Sequence, residues 1–157
     1  MKFSQYPISP KILKALEVAE FKRPTDIQFR AIPSILKGDD VMGIAQTGTG
    51  KTAAFAIPVS HMLLQRIRQR DTEQVRCLVM VPTRELAVQI SKVFEMLNQF
   101  SSLSVLALHG GVVQAPQIEQ LKEGVDVLIA TPGRMFDLIS QRHLDIRNVE
   151  ILILDEA

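Results

Sequence analysis

From residue 40 onward, short apolar runs alternate with stretches of helical periodicity. The runs are VMGIA (41–45), CLVMV (77–81), SVLALH (104–109), VDVLIA (125–130) and VEILIL (149–154). Most are apolar on both faces, as expected of strands in a parallel sheet that helices cover on each side. Between them the clearest helical stripe carries Leu86, Ile90, Phe94 and Leu97, spaced to fall on one helical face. Strand, helix, strand at this spacing predicts an α/β fold, a doubly wound parallel sheet of about five strands with helices on both faces. In such sheets ligands gather beyond the carboxyl ends of the strands, so the residues after each run are where chemistry is sought.

Ahead of this region the pattern is helical. Ser9-Pro10 reads as a capping hydroxyl followed by a first-turn proline. Ile12, Leu13, Leu16 and Ala19 then share a face. A second helix is expected to start at Thr25, with Pro33 within it or just after it. Residues 1–37 are thus expected to be a helical lead-in and residues 38–157 the sheet-containing domain.

Composition narrows the class. A chain of 157 residues that is 46% hydrophobic can bury a real core. No apolar run approaches the roughly 20 residues of a membrane helix, and MKFSQYPISP lacks the apolar stretch of a secretory signal. The single cysteine, Cys77, cannot form an internal disulfide, which points to the cytoplasm. It sits inside CLVMV, where a buried, inert thiol is expected. A net charge of +1 excludes a uniformly basic coat for nucleic acid. Any such contact must come from a few placed arginines and helix amino termini. The polar stretch Gln65 to Arg76 reads as a solvated helix end and loop.

Two segments carry the phosphate chemistry. Ala45-Gln46-Thr47-Gly48-Thr49-Gly50-Lys51-Thr52 follows an apolar run and precedes a helical pattern. This is a Walker A loop, with Ala45 where the general pattern has its first glycine. Backbone N–H groups of such a loop, together with a helix amino terminus, cradle phosphate. Lys51 is placed to reach the β- and γ-phosphates of a nucleotide, and the Thr52 hydroxyl to bind Mg²⁺. Asp155 and Glu156, directly after the last apolar run, read as a Walker B element. Asp155 is the candidate Mg²⁺ holder and Glu156 the candidate general base on water. A strand-end acid pair is weak evidence alone and strong beside a Walker A loop.

The remaining motifs select among NTPases. The segment Phe21-Lys22-Arg23-Pro24-Thr25-Asp26-Ile27-Gln28, with Phe3 upstream, resembles the Q motif of DEAD-box RNA helicases. AQTGTGKT, PTRELA (82–87), Gly110-Gly111, TPGR (131–134) and DEA (155–157) follow in that family's order, so the resemblance spans essentially the whole chain. It implies the amino-terminal RecA-like, ATP-binding domain of such an enzyme. Gln28 then reads the adenine edge, and Phe21 and Arg23 pack on the base faces. Thr25-x-x-Gln28 is equally the pattern of a capping box, in which Gln28 bonds back to the Thr25 backbone. The resemblance further implies that Pro82, Thr83, Arg84, Gly110, Gly111, Thr131, Pro132, Gly133 and Arg134 touch the RNA sugar-phosphate backbone. Thr83 and Thr131 are placed as helix caps, and the glycines permit close approach. Such contacts read no base edges, so binding is expected to be tolerant of sequence.

Two departures from the family pattern stand out. Glu20 occupies the position where the family usually has glycine. The chain also stops at Ala157, so the domain is expected to be incomplete and the second RecA-like domain absent. The fragment is then expected to bind adenine nucleotide weakly without unwinding RNA. The competing readings are another P-loop NTPase, such as a DNA helicase, and a non-enzymatic module that binds nucleotide or RNA.

Overall fold

The computed structural model describes residues 1–66 and 75–155. The chain divides into two compact units, residues 1–66 with 93–102 and residues 67–92 with 103–157.

In the first unit a 3-10 turn, Phe3–Gln5, precedes three helices, α1 (Pro10–Val18), α2 (Asp26–Leu36) and α3 (Lys51–Gln65). The end of α4 (Arg84–Leu97) also belongs to it. Ile12 and Leu16 of α1, Ile32 of α2, Ile57 and Leu63 of α3, and Phe94 and Leu97 of α4 are fully buried. The inner face of α1 is completed by Ala15 rather than by Ala19. Pro33 lies inside α2. Pro10 occupies the first turn of α1 as expected, but the Ser9 side chain makes no capping bond. Instead the Ser9 backbone N–H donates to His61 Nδ1 at 2.9 Å. Burial lowers the pKa of His61, which keeps that nitrogen available as an acceptor.

Residues 41–45 correct the strand expectation. They form no strand, and Val41, Met42 and Ile44 are exposed, the last two at 89%. An extended apolar run becomes a strand only when a neighbour supplies the ladder of hydrogen bonds. No described strand pairs with this run.

Among the described residues the second unit holds a four-stranded, wholly parallel sheet in the order β2-β3-β1-β4, one strand fewer than expected. Its strands are β1 (Cys77–Met80), β2 (Val105–Leu108), β3 (Val127–Ala130) and β4 (Ile151–Leu154). The connections run through α4, α5 (Ala115–Glu123) and α6 (Pro132–Ser140). The step from β1 to β2 runs opposite to the steps β2 to β3 and β3 to β4. With right-handed crossovers, α4 therefore covers one face, and α5 and α6 the other. On the latter face Leu78, Leu106, Leu108, Leu128 and Ala130 pack with Leu121 of α5 and Met135 and Leu138 of α6. Cys77, Val79, Val127 and Ile129 point the other way and are also fully buried.

A polar cluster joins the four strands at their amino ends. Arg76, Ser104, Asp126 and Glu150 each stand immediately before a strand. Arg76 lies 3.9 Å from the Asp126 carboxylate and 3.5 Å from that of Glu150. Ser104 N–H donates to Asp126 at 2.9 Å. Structural polar groups thus occupy one end of the sheet and leave the carboxyl end for function.

Candidate nucleotide and RNA site

Glu20 shapes the entry to the first part of the site. It follows the α1 cap with φ 62°. Its N–H donates to Glu17 O at 3.0 Å, and that of Phe21 to Leu16 O at 2.8 Å. This paired arrangement is a Schellman ending, which favours glycine. The glutamate thus adopts the turn that glycine would take, and the following Phe21 lies against Phe3, ring centroids 6.5 Å apart. Phe21 and Arg23 line an open groove of ≈ 800 Å³ with Phe3, Lys14, Glu17 and Glu20.

Gln28 is not on that groove. It is 2% exposed, and both ends of its amide are engaged. Oε1 accepts from Thr25 N–H at 3.0 Å, closing a capping box at the start of α2. Nε2 donates to Gly50 O at 3.1 Å. The capping pattern in the sequence is therefore formed, and the same side chain fastens the phosphate loop. Gly50 has φ 82°, and a Cβ there would collide with the Gln28 amide nitrogen. Gly48 is also left-handed, with φ 86°, but open space surrounds it. Thr49 Oγ1 donates to Gln46 O at 2.6 Å within the turn. Lys51 and Thr52 are the first residues of α3, where backbone N–H groups lack helical partners and the helix dipole is positive.

In the second unit the remaining candidates sit just beyond strand ends. Pro82, Thr83 and Arg84 follow β1, Gly110 and Gly111 follow β2, and Thr131, Pro132, Gly133 and Arg134 follow β3. Asp155 follows β4, its N–H donating to Met80 O at 3.1 Å. Thr83 Oγ1 accepts from Leu86 N–H at 3.3 Å and caps α4. Thr131 stands at the cap position of α6 in extended conformation, yet its side chain makes no capping bond. Pro132 opens α6, where its missing N–H costs nothing. Gly111 has φ 80°, and a Cβ there would lie 2.9 Å from Arg84 Nη1. The arginine therefore occupies the space a side chain would need.

Arg134 is held inward. Its Nη2 donates to Val112 O and its Nη1 to Gln117 Oε1, both at 2.8 Å. Gln117, on α5, was not a candidate from sequence. It is one of three glutamines in Gln114 to Gln120, and only its sharing a buried face with Leu121 sets it apart. Glu156 lies outside the described residues. Lys51 and Thr52 belong to the first unit and Asp155 to the second. Among the described residues no group of three or more His, Cys, Asp or Glu could hold a metal ion. Hydroxyl and carboxylate oxygens are each ligand types that suit Mg²⁺, which takes few protein ligands beside phosphate and water.

Residues 25–157 match the profile of DEAD/DEAH box helicases. The chain belongs to this helicase family. It is 44% identical over 156 residues to the ATP-dependent RNA helicase SrmB of Haemophilus influenzae, covering 99% of this chain and 35% of that protein. It is 43% identical to the ATP-dependent RNA helicase RhlB of Pseudoalteromonas atlantica, covering 99% and 37%. It is 44% identical to RhlB of Escherichia coli O7:K1, covering 99% and 38%. The chain thus spans little more than a third of the length of the helicases it matches. No described helix is long and apolar enough to cross a membrane.

Proposed function

We propose that this chain is the ATP-binding part of a cytoplasmic ATP-dependent RNA helicase, with residues 38–157 as its amino-terminal RecA-like domain and residues 1–37 as the lead-in. The observation that carries this reading is the phosphate loop, left-handed at Gly48 and Gly50, opening α3 and fastened by Gln28. Phe21 and Arg23 flank the adenine. The loop from Ala45 through Gln46, Thr47 and Thr49 wraps the phosphates, and Lys51 neutralises them. Thr52 and Asp155 are the residues that would hold Mg²⁺, which when bound would screen the phosphate charge. Glu156 accepts the proton of the attacking water. Thr83, Arg84, the glycine pair and TPGR receive RNA phosphates at helix starts. A second RecA-like domain completes both sites in the parent. An arginine supplied across that cleft contributes roughly 10³–10⁵ in rate in related NTPases.

Calorimetric titration of the chain with Mg²⁺-ATP and Mg²⁺-GTP tests the nucleotide site. ATP should bind in preference to GTP, and Lys51→Ala should abolish binding. Gln28 has two roles to separate, because it also fastens the loop. If it reads adenine, Gln28→Ala erases the preference for ATP. If it only fastens the loop, both affinities fall by the same factor. A folded chain that binds neither nucleotide would overturn the assignment.

A further inference from the structure

Two segments of the RNA side, the glycine loop and the TPGR turn, meet through one side chain that belongs to neither. Gln117 is 7% exposed and uses both functions of its amide. Nε2 donates to His109 O at 3.1 Å, and Oε1 accepts from Arg134 Nη1 at 2.8 Å. Arg134 closes the ring by donating through Nη2 to Val112 O at 2.8 Å. The loop 109–112, which carries the glycine pair, is thereby tied at both ends, once to α5 and once to the first turn of α6. Arg84 lies over Gly111 from the start of α4. Neither Arg84 nor Arg134 forms an ion pair among the described residues, so both keep their charge for an anion.

We infer that Gln117 is a positioning residue for RNA binding, which holds the glycine loop and Arg134 in one preformed phosphate-binding surface without itself touching RNA. This rests on the RNA reading above. The chemistry at position 117 is demanding. One side must donate to a carbonyl, and the other must accept from a guanidinium without cancelling its charge. A carboxylate would accept but would face the His109 carbonyl with a second oxygen and neutralise Arg134. An ammonium would donate but would repel Arg134. Only a neutral amide of this length satisfies both partners. Arg134 then acts in two ways, as a tie for the loop and as a source of charge. Preorganisation matters here because a loop ordered only on binding sets its ordering entropy against affinity.

The test compares Gln117→Leu and Gln117→Glu with the unmutated 157-residue chain. Binding of a fluorescent oligo-uridine strand is followed over a range of salt. Amide hydrogen exchange of residues 109–113 is measured without RNA, with thermal unfolding as the control for folding. Gln117→Leu should speed exchange in this loop and weaken RNA binding about tenfold. Its dependence on salt should be unchanged, since no charge is removed. Gln117→Glu should weaken binding and also flatten the salt dependence, by about 0.9 in log–log slope if one phosphate contact is lost. A merely structural role would leave the two salt slopes equal. Unchanged loop exchange, or unchanged RNA affinity in both variants, overturns this assignment alone. Absence of RNA binding by the unmutated, folded chain overturns the RNA reading and this assignment together.

Discussion

Gln28 and Gly50 show how one residue can serve two levels of structure. Thr25 and Gln28 are three positions apart, so their capping box is local. The bond from Gln28 to Gly50 joins residues 22 positions apart and brings the Q segment to the phosphate loop. Gly50→Ala would combine a left-handed backbone with a collision against the Gln28 amide, a penalty of roughly 1–3 kcal/mol or more. We expect it to lower the melting temperature and to weaken ATP at least tenfold. Gly48→Ala is the matched control. Its backbone is equally left-handed, but the added methyl meets open space, so its loss of stability should be smaller. Equal losses in the two variants, by thermal melt, would show that the contact with Gln28 is unimportant.

At the scale of elements, three helices end alike. After α1, α2 and α6 the chain turns through a left-handed residue, and the next N–H reaches back to Leu16 O, Ser34 O and Leu138 O respectively. The turning residue is Gly38 after α2 but Glu20 after α1 and Arg142 after α6. Left-handed backbone costs a residue with a Cβ roughly 1–2 kcal/mol, partly offset because glycine loses more entropy on folding. Glu20→Gly and Arg142→Gly should therefore each raise the melting temperature, by about 2 °C. A fall in either case would mean that the side chain supplies a contact outweighing the strain. The edge strand β4 is a second feature of this scale. Leu152 and Leu154 share the face of Leu78 and Met80 yet are 58% and 60% exposed, and β4 has a partner on one side only among the described residues.

On the scale of the whole molecule, Cys77 reports on the integrity of the second unit. It is buried at the amino end of β1, and burial pushes its thiol up to about 12. The reactive thiolate is then negligible at neutral pH while the unit is folded. A disulfide-exchange reagent should label the chain only through opening of the sheet, with a rate that rises with denaturant. The polar cluster of Arg76, Ser104, Asp126 and Glu150 closes the sheet at this same end and should oppose that opening. Fast labelling in native buffer would show that the sheet opens readily.

Much of this arrangement was legible in the sequence. Apolar runs located β1 to β4: β1 and β3 are buried on both faces and leave an unbroken hydrophobic signature, while β4 is equally apolar but half-exposed at the edge. The start of α2, the helical stripe of α4 and the turn that opens α3 followed from capping patterns and glycine spacing, which act within a few residues. The run at 41–45 has the same signature but forms no strand, since hydrophobicity reports a tendency to be buried and not the presence of a pairing partner. Ser9 and Thr131 occupy cap positions without capping, because a hydroxyl's choice of partner depends on its surroundings. The bonds from Gln28 to Gly50 and from Arg134 to Gln117 span 22 and 17 positions. Local rules of spacing therefore determined where the candidate groups lie along this chain. Tertiary packing alone decided which of those groups hold one another in place, because such contacts arise only when distant segments fold together.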